Sequence, residues 1–358
     1  MAPLRQLEFY SGIGGMHYAA TLAEWNVEIL KAFDINTVAN EIYRHNFDHK
    51  TVGQKLIETL SVKQYEDFKA DVWTMSPPCQ PYTRVGLQQG SEDTRAKSFL
   101  YLLEVLKELE NKPKYILVEN VKGFEESDSR DMLVSTLQKC DYNFQEFLLT
   151  PLQLSIPNSR MRYYLLAKLK PNDFAVPVTN TIINYIPLSK KMSEAFVDNR
   201  GEEHVNESLV DPISAYLESD VDESYLLTDK VLAKNCHVFD IVKPNGRRSC
   251  CFTKGYYHYA QGTGSVLQTN SDLDAHTVFE ESLQYKGVDE EKQLQKLRSL
   301  RLRYFTPREV ANLMGFPQHF SFPETSSVKQ KYRTLGNSIN VKLVSELMRY
   351  LLKEPSAF

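Results

Sequence analysis

The sequence predicts an α/β protein: a Rossmann-like, doubly wound, mostly parallel sheet carrying a smaller irregular lobe. Three observations predict it. In the first half, short apolar runs alternate with longer amphipathic segments, the pattern of a parallel sheet covered by helices. Four of those runs end in a glycine-bearing or polar motif. After about Lys170 the texture turns to Asn, Pro and acidic stretches such as Glu218 to Glu223, and helical patterning returns only near Arg298.

A chain of 358 residues has room for one large domain and one small one. The division expected is 1–175 for the first part of the large domain, 176–297 for the irregular lobe, and 298–358 for a return to the large domain. Near the end, TPREVANLMGF offers a Thr N-cap before Pro at the first helical position. LGNSINVKLVSELMRYLLK reads as a Gly-Asn turn and an amphipathic helix.

No apolar stretch follows a basic N-terminal cap, and no window is long enough to span a bilayer, so a soluble, cytoplasmic protein with access to the nucleus is expected. Five cysteines spread thinly over the chain are no disulfide framework and favour reduced thiols. Cys236-His237 and Cys250-Cys251 lack CxxC-type spacing, and no metal is expected. The net charge of −4 excludes a protein that coats nucleic acid by bulk electrostatics. Any such contact needs a local positive surface, with Arg160 and Arg162, Arg247 and Arg248, or Arg298, Arg301 and Arg303 as candidates; a solvated face is the alternative for each.

The four strand ends follow in order. Leu4 to Tyr10 runs into Ser11-Gly12-Ile13-Gly14-Gly15, where glycines let backbone approach a ligand and leave helix N–H groups free. Glu28 to Phe33 ends at Asp34, placed to accept from ribose hydroxyls. Together these indicate a nucleoside-bearing cofactor, with a dinucleotide still open. Asp71 to Met75 runs into Ser76-Pro77-Pro78-Cys79-Gln80-Pro81, where two prolines stiffen the loop before a cysteine. Tyr115 to Val118 ends at Glu119-Asn120. Ligands of open α/β sheets bind beyond the carboxyl ends of the strands, so the four motifs read as one site.

The chemistry these residues permit is specific. C5 of cytosine accepts a methyl group only once a nucleophile has added at C6, and a thiolate such as that of Cys79 can do this. An acid must then stabilise the ring at N3. Glu119, closing an apolar strand, is suited to it because desolvation raises a carboxyl pKa; capping the next helix is its alternative role. Arg160 and Arg162, at i and i+2, share a face if extended, suited to a phosphate, a base carbonyl or a surface ion pair.

In this order the segments resemble the cytosine-5 DNA methyltransferase family: Phe9 to Gly15, Pro78-Cys79, Glu119 to Val121, Arg160 with Arg162, and Gly336 to Ser338. The match is closer to the small RNA-directed branch similar to tRNA-aspartate cytosine-5 methyltransferases, through Cys251-Phe252-Thr253, SPPCQP and LRYFTPREVANLMGFP. The resemblance implies a class I methyltransferase fold using S-adenosyl-L-methionine and releasing S-adenosyl-L-homocysteine. It implies a cofactor site of Phe9, Tyr10, Ser11, Gly12, Ile13, Gly14, Gly15 and Asp34, with Ile35, Ile57 and Glu58 at the adenosine. Ser76, Pro78, Asn337, Ser338 and Val341 complete that site. Cys79, Glu119, Arg160 and Arg162 are the implied catalytic set, and Gln80, Arg84, Lys122 and Lys254 the implied nucleic-acid contacts. Asn158 departs from the Gln usual there. The implied substrate is cytosine 38 in the anticodon loop of aspartate tRNA, an unpaired base cheaper to reach than one in a duplex. DNA methylation, a non-catalytic nucleic-acid-binding module and a dinucleotide oxidoreductase are the alternatives. A monomer is expected.

Overall fold

The computed structural model describes residues 2–48, 50–53, 55–78, 97–189, 192 and 206–355. Its main sheet has seven strands in the order β3-β2-β1-β4-β5-β7-β6. They are β1 (Leu4–Phe9), β2 (Val27–Phe33), β3 (Val52–Gly53), β4 (Val72–Met75), β5 (Tyr115–Val121), β6 (Tyr142–Leu149) and β7 (Arg162–Leu169). β1 to β5 are mutually parallel. β7 runs antiparallel to both neighbours, with Glu119 opposite Tyr164, Val121 opposite Arg162 and Leu149 also opposite Arg162.

Alternation along the strands builds a core on each face. In β5, Tyr115 and Leu117 point to one side and Ile116 and Val118 to the other. The second side is covered by α3 (Val62–Phe68), α4 (Lys97–Glu108) and α5 (Asp128–Lys139), through Tyr65, Phe99, Leu102, Leu133 and Leu137. The first is covered by α1 (Gly15–Leu22), α2 (Thr37–Asn46) and helices from the far end of the chain, 307–313, 328–336 and 341–352. Trp25 Nε1 donates to the Met348 carbonyl at 3.2 Å, tying the first residues to the last. The chain therefore returns to its own beginning.

The local signals at that return are realised. Thr306 caps the helix Pro307–Leu313 in a reciprocal box with Glu309, and Asn340 caps Val341–Leu352 through the Leu343 amide; such caps satisfy amides that the first helical turn leaves without partners.

A three-stranded sheet in the order β10-β9-β8 forms the smaller lobe: β8 (Asp240–Val242), β9 (Ser265–Gln268) and β10 (Leu302–Tyr304). Leu232, Val266, Val278, Leu297 and Leu302 pack as its core. Its third strand lies past the boundary expected at 297. At the other boundary, Ile183 bridges Phe147 of β6 and Ile186 joins the large core. Both departures come from long-range strand pairing, which local composition does not encode.

Candidate active site

The turn after β1 is shaped by three left-handed residues, Tyr10, Gly12 and Gly14, at φ of 58°, 54° and 86°. Gly12 faces open space, and its amide donates to Asp34 Oδ2 at 2.8 Å. The Asn36 amide donates to Asp34 Oδ1, also at 2.8 Å. Asp34 thus fastens two strand ends together, while each oxygen keeps a lone pair for a ligand. Burial pushes its carboxyl above the ordinary range, against the backbone donors of Asn36 and Gly12.

Beyond this turn opens a cleft of about 620 Å³. It is lined by Tyr10, Gly12, Ile13, Asp34, Ile35, Ile57 and Glu58, together with Ser76, Pro78, Glu119, Arg160, Arg162, Lys254 and Asn337. Those fourteen expected residues come together from strand ends, turns and a helix end far apart in sequence, at the rim where open α/β sheets arrange their ligand crevices.

Other expected residues lie behind the cleft. Phe9 is a core ring stacked on Phe33 at 5.6 Å, because it points into the sheet face covered by α3 to α5. Gly14 and Gly15 are packing positions: an added Cβ would come within 2.4 Å of the Phe47 ring and 2.7 Å of Ile339, respectively. Ser11 is buried, with a hydroxyl that has no partner. Ser338 is buried and turns its carbonyl to Arg160, and Val341 is fully buried at the start of its helix. Lys122 is exposed and outside the cleft lining. Cys79, Gln80 and Arg84 lie outside the described residues.

The carboxyl end of β5 gives the cleft its acid. Glu119 is 8% exposed, and burial raises its carboxyl above the ordinary range despite the opposing charges of Arg162 and Arg160. Arg162 Nε stands 3.7 Å from Oε1. The Ser76 hydroxyl also faces this carboxyl, although its geometry falls short of a hydrogen bond. Beside them the Asn120 side-chain amide accepts from Val121 N at 2.9 Å and leaves its buried Nδ2 unpartnered.

Arg160 lies in the connection before β7, and its guanidinium is spent largely on the protein. Nη1 donates to Cys251 Sγ and to the Phe252 carbonyl, both at 3.2 Å; Nη2 donates to the carbonyls of Gly336, at 3.3 Å, and Ser338. It ties the smaller lobe to the Gly-Asn-Ser segment. Asn158, at the position where Gln was usual, is buried and donates to Ser249 Oγ and the Cys250 carbonyl. Arg162 donates to the Met161 carbonyl and towards Cys251 Sγ at 3.6 Å.

The distal basic run offers little free charge. Arg298 pairs with Asp229 and Glu291, Arg301 with Glu223, and Arg303 is buried against Glu309. Arg247 donates to the Val210 carbonyl.

Sequence reasoning missed several lining residues: Asn36, Lys55, Leu56, Ser98, Arg333 and Thr334. Lys55 and Leu56 directly precede the expected Ile57, and Arg333 and Thr334 precede Gly336, so adjacency was the available signal. Ser98, whose Oγ lies 2.8 Å from Tyr10 OH, had none.

Residues 4–353 match the family model of the C-5 cytosine-specific DNA methylases. The chain is 42% identical to the human tRNA (cytosine(38)-C(5))-methyltransferase, over 98% of this chain and all of that protein. It is 43% identical to the Schizosaccharomyces pombe tRNA (cytosine(38)-C(5))-methyltransferase, over 99% and 98% of the two chains. A crystal structure of a Spodoptera frugiperda DNMT2 mutant superimposes with a TM-score of 0.82 at 40% identity, covering 98% of this chain and 100% of that one.

Proposed function

The chain belongs to the C-5 cytosine-specific DNA methylase family, and on that premise we propose that it methylates C5 of a tRNA cytosine through a covalent cysteine adduct. Near-full-length similarity to two tRNA (cytosine(38)-C(5))-methyltransferases supports tRNA as the substrate and cytosine 38 as the base. The aspartate tRNA is the acceptor assigned.

The cofactor is S-adenosyl-L-methionine, and the cleft suits its chemistry. Ile35, Leu56 and Ile57 offer an apolar slot for an adenine, Asp34 and Glu58 offer acceptors for ribose hydroxyls, and the unpartnered Asn120 Nδ2 offers a donor. Open space at Gly12 lets the ligand meet backbone directly. When bound, this cofactor supplies an electrophilic methyl group on a sulfonium.

The protein supplies the rest. Cys79 adds as a thiolate to C6, Glu119 gives its proton to N3, and the ring becomes nucleophilic at C5. Once C5 carries the methyl group, loss of its proton to water lets the C6–S bond break, Cys79 leaves as a thiolate, and N3 returns its proton to the Glu119 carboxylate. Arg162 faces the carboxylate that Glu119 becomes, stabilising the charge as it forms.

The observation that carries this reading is Glu119: a buried carboxyl whose hold on its proton burial strengthens, lining the same cleft as Gly12 and Asp34. The deciding experiment is labelled-methyl transfer to total small RNA against genomic DNA, with the modified base mapped, in the native protein and Cys79→Ala. Transfer to RNA that Cys79→Ala abolishes, with cofactor binding retained, is the expected result. Transfer to DNA alone overturns the substrate, and turnover by Cys79→Ala overturns the mechanism.

A further inference from the structure

The surroundings of Glu119 hold two buried guanidiniums, from Arg160 and Arg162, and an acid that must carry a proton. Opposite charge within about 4–6 Å favours the ionised form of a carboxyl, so two unopposed guanidiniums would strip the proton that the reaction needs. The smaller lobe brings a second group of anionic capacity to the same place. Cys251 Sγ lies 3.2 Å from Arg160 Nη1 and 3.6 Å from Arg162 Nη2, so it shares both guanidiniums with Glu119.

We propose that Cys251 is a positioning residue that works as a thiolate: it binds both guanidiniums, neutralises one of their two charges, and so lets Glu119 keep the proton destined for N3. With Glu119 protonated and Cys251 ionised, the cluster carries one net positive charge. Transfer of the proton to N3 leaves a carboxylate that this remaining charge balances, so the catalytic step ends in a neutral cluster. The proposal rests on the reading of Glu119 as the acid of methyl transfer.

The electrostatics of these contacts agree with it. Burial works to raise the Cys251 thiol, yet Arg160 and Arg162 outweigh burial and hold it below its ordinary range. The described cysteines outside the cluster, Cys140, Cys236 and Cys250, are all pushed up by burial. Among the described residues, the charged and titratable groups facing the Glu119 carboxyl are Arg162 and Tyr164 from β7 and Arg160 from the connection before it. Lys254 shares the cleft from the smaller lobe.

The test compares Cys251→Ser, which cannot ionise, with Cys251→Asp, which restores an anion. In the free protein, a carbon-13 NMR titration of the Glu119 carboxyl, assigned with Glu119→Gln, is expected to shift down by about one pH unit in Cys251→Ser and to recover in Cys251→Asp. The alkaline limb of the kcat/KM profile, where loss of the Glu119 proton ends activity, should move the same way, with KM for the cofactor unchanged. An unmoved Glu119 titration in Cys251→Ser, or equal shifts in both variants, overturns the proposal. Should Cys251→Ser fail to fold, ultraviolet thiolate titration in a Cys79→Ala background decides: a step below the ordinary thiol range supports it, and no such step overturns it. Because the NMR and thiolate titrations need no substrate, they succeed or fail apart from the assignment of RNA methylation.

Discussion

The amide of Gly12 and the carboxylate of Asp34, joined at 2.8 Å across two strand ends, hold the glycine turn in its left-handed shape. Asp34→Ala removes this bond, the Asn36 bond and a ribose acceptor together. Bonds to charged groups contribute about 1.5–3 kcal/mol each, so cofactor affinity is expected to fall by roughly 10- to 100-fold. Calorimetric titration with S-adenosyl-L-homocysteine measures it, and an unchanged Kd contradicts the assignment.

Gly12 and Gly14 should separate binding from stability. At Gly12 an added methyl meets no protein atom within 4 Å, whereas at Gly14 it lies 2.4 Å from the Phe47 ring. Gly14→Ala is expected to cost about 1–3 kcal/mol of stability through overpacking. Gly12→Ala should fold with only the cost of about 1–2 kcal/mol for an Ala in a left-handed conformation, yet lose cofactor binding. Thermal melts with and without ligand distinguish the two.

Glu119→Gln retains the volume and the acceptor but cannot give up a proton. General acid catalysis contributes about 10²–10⁴-fold, so kcat should fall by that range while cofactor Kd stays constant. A kcat within threefold of the native value would remove Glu119 from the mechanism.

Beneath the glycine turn, Glu8 is fully buried, accepting from Tyr43 OH at 2.8 Å and Gln6 Nε2 at 3.2 Å. Burial pushes its carboxyl up to about 8, against those two bonds. The folded state therefore binds the proton more tightly than the unfolded chain, and the sign follows: the stabilisation is complete below the ordinary 4.5 and is lost as pH rises through about 8. Denaturant midpoints should decline over that window in the native protein, and the decline should be smaller in Glu8→Gln. Equal slopes would show that Glu8 ionises freely.

Much of the site was legible because its parts terminate strands. Tyr10, Asp34, Ser76 and Glu119 each end an apolar run, and a parallel sheet brings such ends to one rim. Phe9 and Val341 turn their side chains into the core for one reason: motif membership does not say which face a residue presents, and sheet alternation and helix packing turn both inward. Arg160 lines the cleft and is also held by three carbonyls 92 to 178 residues away, partners that no periodicity in a linear chain encodes. Cys251 was noticed as part of a tripeptide, and only folding reveals its two arginines.

The reversed direction of β7 matters for what stands at the reaction centre. With β6 ascending and β7 descending, the span 150–161 hangs over the same brink as the tips of β1, β4 and β5. A strand's first residue, Arg162, thereby meets another's near-last, Glu119, and Arg160 just upstream can reach the second lobe and the chain terminus at once. Were that strand laid parallel, its cations would sit on the opposite edge of the molecule, and Glu119 would have no guanidinium of that strand beside it.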